Sequence, residues 1–141
     1  MIYGNDPAQY RRFFQQAWDK YRSNAVLEPL ESLVAQIIAV HPEYHALLES
    51  PDTPEQDYAP EAGHSNPFLH MGLHIAIQEQ LAADRPPGIR VIYQQIMQHH
   101  ADPHEAEHLV TECLAETIWE AQHQGGAPDE AAYLERLRRL L

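Results

Sequence analysis

The sequence predicts an all-α fold, a single-domain bundle of about five to six helices over residues 1–141. Three observations carry that prediction. Apolar residues recur at three- and four-residue spacing through most of the chain. Three helix starts are marked by a capping residue followed by proline, at Asp6-Pro7, Asn66-Pro67 and Asp102-Pro103. No segment alternates apolar and polar residues between hairpin turns.

The first helix begins at Pro7, with Gln9 placed to close a capping box on Asp6, and ends near Arg22 to Asn24. Tyr10, Phe13, Phe14, Ala17, Trp18 and Tyr21 give it an aromatic stripe that reads as core. Pro29 opens a second helix, whose buried face is Leu30, Leu33, Val34, Ile37 and Ile38. His41-Pro42 interrupts it, and Pro42 to Glu49 forms a short further helix. Prolines, a glycine and scattered acids without periodicity make residues 50–65 one long loop.

Asn66-Pro67 then starts a helix that runs to about Ala83, apolar on nearly all sides yet carrying His70 and His74 one turn apart. Asp84-Arg85-Pro86-Pro87-Gly88 is a turn, and Ile89, Ile92, Tyr93, Ile96 and Met97 mark a helix ending at His99 or His100. Asp102, with Glu105 at the capping-box position, opens a helix to about His123 that Gly125-Gly126 stops. Its apolar stripe is Ala106, Val110, Cys113, Leu114, Thr117 and Ala121. A last amphipathic helix runs from Asp129 through Tyr133, Leu134 and Leu137 to Leu141.

Composition narrows the function classes. Of 141 residues, 21 are acidic and 9 basic, a formal charge of −12 that repels phosphate backbones and anionic lipid headgroups. Nucleic acid and membrane are therefore not expected partners, whereas a protein partner or a homodimer is compatible with the apolar content of the helices. The single cysteine, Cys113, excludes an internal disulfide, and it sits on a core stripe as a small hydrophobe. No basic flank precedes an apolar leader, and no run is long enough to span a membrane, so the expected location is the cytoplasm.

The compositional excess is histidine, with ten residues. Residues four apart on a helix share a face and can share a cation. Four such pairs occur, His41/His45, His70/His74, His100/His104 and His104/His108, where random placement gives roughly 0.6. His104-Glu105-Ala106-Glu107-His108 matches H-E-x-x-H, but it falls in a first helical turn and lacks a third ligand, which argues against a peptidase. The favoured combination joins His70/His74 to His104/His108 from a neighbouring helix, with Glu112, Glu79 or Glu105 completing the shell of a bound zinc or iron. Trp119 and Ala115 beside the second pair suggest a partly covered face. The alternative is a non-enzymatic, acidic protein–protein interaction module with structural histidines, docking a basic partner through Asp52, Glu55, Asp57 and Glu61. Neither a phosphate-binding glycine loop nor a G-x-S-x-G elbow is present.

Several motifs, Tyr10-Arg11-Arg12-Phe13-Phe14, His41-Pro42-Glu43-Tyr44-His45, Asn66-Pro67-Phe68-Leu69-His70-Met71-Gly72-Leu73-His74, Asp84-Arg85-Pro86-Pro87-Gly88-Ile89-Arg90 and Glu105-Ala106-Glu107-His108, resemble a family of short bacterial proteins known as a domain of unknown function. The resemblance spans essentially the whole chain. It implies a bacterial cytosolic protein and assigns no catalytic residue.

Overall fold

The computed structural model describes residues 7–49 and 67–141, and among them the structure is all α. The helices are α1 (Pro7–Arg22), α2 (Pro29–Ala39), a 3-10 turn (Pro42–Tyr44) leading into α3 (His45–Leu48), α4 (Pro67–Ala83), α5 (Ile89–His99), α6 (Pro103–Gln124) and α7 (Glu130–Arg138). The expected loop at 50–65, with its acids Asp52, Glu55, Asp57 and Glu61, lies outside the described residues, as do the caps Asp6 and Asn66. The chain divides into two compact units, Met1–Ile75 and Ala76–Leu141, with α4 passing from the first into the second.

In the first unit the aromatic stripe of α1 forms the core. Phe14, Ala17 and Trp18 are buried with Val34, Ile37 and Ile38 of α2, Leu48 of α3, and Phe68, Met71 and Ile75 of α4. Phe14 meets Phe68 edge to face at 5.7 Å, the arrangement that sets a ring's positive edge against its neighbour's negative face. Tyr10 donates its hydroxyl to the Phe68 carbonyl at 3.4 Å. The chain's single lysine, Lys20, reaches the buried Glu31 carboxylate at 2.7 Å, and the same side chain accepts the Glu28 N–H at 2.9 Å. Glu31 thus satisfies a free donor at the start of α2 and ties that helix to α1.

In the second unit Ile89, Ile92 and Ile96 of α5, Ala106, Val110, Leu114 and Ala121 of α6, and Tyr133 and Leu137 of α7 are buried, with Ile77 of α4. Arg90 donates from Nε to the Leu81 carbonyl and from its guanidinium NH2 to the Ala82 carbonyl, each at 2.7 Å, and so caps the end of α4. Asp84 accepts the N–H groups of Arg90 and Gly88, which hold its carboxyl below the usual carboxylate range. Asp102 caps α6 through the His104 N–H at 3.0 Å, and Gly125 closes that helix at φ +72°. Arg136 of α7 pairs with Glu120 and Glu116 of α6 and donates to Thr117 Oγ1.

The face of α6 that carries Trp119 is unevenly covered: Ala115 is half-buried, while Trp119 is 57% exposed and lies against His123 one turn on. Cys113 is half-buried at the margin of the core face, and burial pushes its thiol up. The buried position beside it belongs to Thr111, whose hydroxyl donates to the His108 carbonyl, one turn back, and so needs no partner outside the helix.

Candidate metal centre

Three imidazoles of the first unit come together: His41 from the end of α2, and His70 and His74 from α4. Helical spacing accounts for His70 and His74, which lie on one face one turn apart. Their rings stand at 4.8 Å between centroids and 73° between planes, with the two Nε2 atoms 3.3 Å apart. Two nitrogens bound to one tetrahedral zinc at about 2.0–2.1 Å lie roughly 3.3 Å from each other. The pair already has the separation that a shared cation demands. Without a cation, the same distance lets one ring donate N–H to the other.

His41 arrives by a different route. Pro42 ends the α2 helical path, and His41 becomes the N-cap of the 3-10 turn, with φ −123° and ψ 66°. Its ring turns back on α2, where Nδ1 donates to the Ile37 carbonyl at 2.7 Å. A carbonyl only accepts, so Nδ1 carries a proton, and in the neutral ring Nε2 carries the lone pair. Metal-binding histidines commonly hold this tautomer through such a bond to their second nitrogen. The His41 ring lies 4.9 Å from His74 and 5.1 Å from His70. One ring nitrogen from each of the three lies within 4.8 Å of the others. His41 and His74 are fully buried and His70 is half-buried.

Tyr44 flanks the cluster, stacked on His41 at 5.7 Å and edge-on to His70 at 6.2 Å. Burial, and then the charge of Glu43, raise its phenol above the ordinary value. His45 stays apart from this work. Its Nε2 donates to the Ile38 carbonyl at 2.8 Å, and its ring packs on Trp18 at 4.5 Å.

The residues singled out by spacing are therefore sorted by the fold. His70 and His74 meet as a pair and gain His41. His104 and His108 meet each other in the second unit, with ring centroids 4.3 Å apart; His104 is exposed and His108 half-buried. The carboxylates offered for the shell, Glu79, Glu105 and Glu112, are all exposed. The half-buried interhelical carboxylate of that region is instead Glu107, whose Oε1 accepts from Tyr93 at 2.6 Å and from Gln78 at 2.9 Å. His41 was hidden from sequence reasoning by its spacing to His45, since that pair straddles the Pro42 break and shares no helical face. Its signal was the His-Pro step at a helix end.

No helix among the described residues is long and apolar enough to cross a membrane. No curated protein and no solved structure matches the chain. Residues 6–139 match a family described as a domain of unknown function, DUF1841. With nearly its whole length covered, the chain belongs to the DUF1841 family.

Proposed function

We propose that this protein binds a transition-metal ion through His41, His70 and His74. The observation that carries the reading is the convergence of these buried and half-buried imidazoles, with His70 and His74 at a ligand-to-ligand spacing and His41 held in a ligating tautomer. Imidazole donors suit zinc, copper, nickel and iron, while carboxylates would favour iron. The group of ligand atoms is all nitrogen, so zinc is the first choice and iron the second. The family resemblance and the lone cysteine support a bacterial cytosol as the working location.

The test is elemental analysis of protein purified without a histidine tag, before and after reconstitution with zinc or iron. One equivalent bound by the wild type and lost in His74→Ala is the expected result. Less than about a tenth of an equivalent after reconstitution overturns the proposal.

A second reading, an acidic interaction module with structural histidines, draws on His45, His100 and His123, each of which has one ring nitrogen on a backbone carbonyl. It predicts that His70→Ala and His74→Ala lose stability with no bound metal to lose.

A further inference from the structure

Resting on the metal-binding reading, we infer that the occupied centre takes a small anion from solution as an additional ligand, so that the site recognises a divalent cation and an anion together. The starting observation is the chemistry of the donor set. Among the described residues the group that converges on the site consists of imidazoles only, with no thiolate and no carboxylate in it. A neutral imidazole contributes a lone pair and no charge. A divalent cation held by such ligands therefore keeps its full charge.

That charge is placed where water screens it poorly. His41 is 0% and His74 1% exposed, and the helices that carry them contribute Ile38, Met71 and Ile75 to the hydrophobic core of the same unit. Uncompensated charge in apolar surroundings is strongly disfavoured, and protein sites resolve it by pairing or by neutralisation. Cysteine- and carboxylate-bearing sites supply the counter-charge from the chain. An all-imidazole site must recruit it, and a small monodentate anion bound directly to the metal does so at the shortest distance. His70 is the half-buried member of the three and so the one whose side chain water reaches. The formal charge of −12 does not substitute for this ligand, because exposed carboxylates such as Glu43 act through water and are screened over about 10 Å. It does suppress non-specific anion binding elsewhere on the protein, which makes the test clean.

The experiment uses the full chain loaded with one equivalent of Co2+, whose visible bands report its coordination, in chloride-free buffer at ionic strength fixed with perchlorate. Sodium azide is then titrated in. A saturable change in the cobalt bands, reversed when azide is dialysed away, is the expected result. Cobalt bands that azide leaves unchanged overturn the inference and assign the counter-charge to the chain itself, while leaving metal binding intact. Failure of the protein to take up cobalt overturns the metal-binding reading, and this inference with it.

Discussion

His41 donates its Nδ1 proton to the Ile37 carbonyl at 2.7 Å, and His45 donates its Nε2 proton to the Ile38 carbonyl at 2.8 Å. Two imidazoles thus cap successive carbonyls at one helix end, but only the first also faces His70 and His74. His41→Ala should destabilise the protein by about 1–3 kcal/mol, the cost of leaving the Ile37 carbonyl without its partner, whereas the Ile38 carbonyl keeps the His41 N–H at 2.9 Å and His45→Ala should cost only the net worth of one hydrogen bond, about 1 kcal/mol. Only His41→Ala should abolish metal binding. Urea denaturation together with elemental analysis of both variants separates the two roles.

Metal should act as a stabilising ligand of the folded state. At free zinc a hundredfold above its dissociation constant, the wild type gains about 2.7 kcal/mol by mass action. His74→Ala should show no gain under the same conditions. Thermal unfolding with and without zinc measures the difference, and equal shifts in both proteins would place any bound zinc somewhere else.

Glu31 supplies a pH dependence whose sign is fixed. Its carboxyl is held below the ordinary value, first by the Lys20 hydrogen bond and then by the Glu28 N–H. A depressed carboxylate contributes stability that is fully present above its unfolded value and is lost as pH falls through the lower folded one. Glu31→Gln should therefore be less stable than wild type at pH 7, and the gap should close on acidification below about 4. Urea midpoints at the two pH values test this, and a gap of constant size would show that the ion pair with Lys20 contributes nothing.

Gly125 ends α6 at φ +72°, and a Cβ added there meets no atom within 4 Å. The cost of Gly125→Ala is consequently backbone strain alone, about 1 kcal/mol. Gly126→Ala has no positive φ to support and equally open space, so it serves as the matched control, with little change expected in the thermal midpoint.

Helix starts and stops were legible because their causes are local. Pro7, Pro29, Pro67 and Pro103 each occupy a first helical position, and Gly125 the left-handed stop. Their effects on φ and on free N–H and C=O groups operate within a few residues. The heptad-like stripes of α1, α2 and α6 likewise marked Phe14, Ile38 and Val110 as core, since burial follows helical period. Period also placed His70 beside His74.

Period could not say which histidine joins that pair. The rule of four held for His70/His74 on one continuous helix and failed for His41/His45, where Pro42 breaks the path. The carboxylates had the same difficulty: Glu79, Glu105 and Glu112 stand at suitable spacings yet are exposed, while Glu107 is engaged by Tyr93 and Gln78. The sequence by itself determined the all-α class, the helix boundaries and the meeting of His70 with His74, all fixed by interactions within a turn or two. Only the tertiary structure brought His41 to His70 and His74, because their meeting depends on how α2 and α4 pack, with Ile38 in one core with Met71 and Ile75, each more than thirty positions along the chain from it.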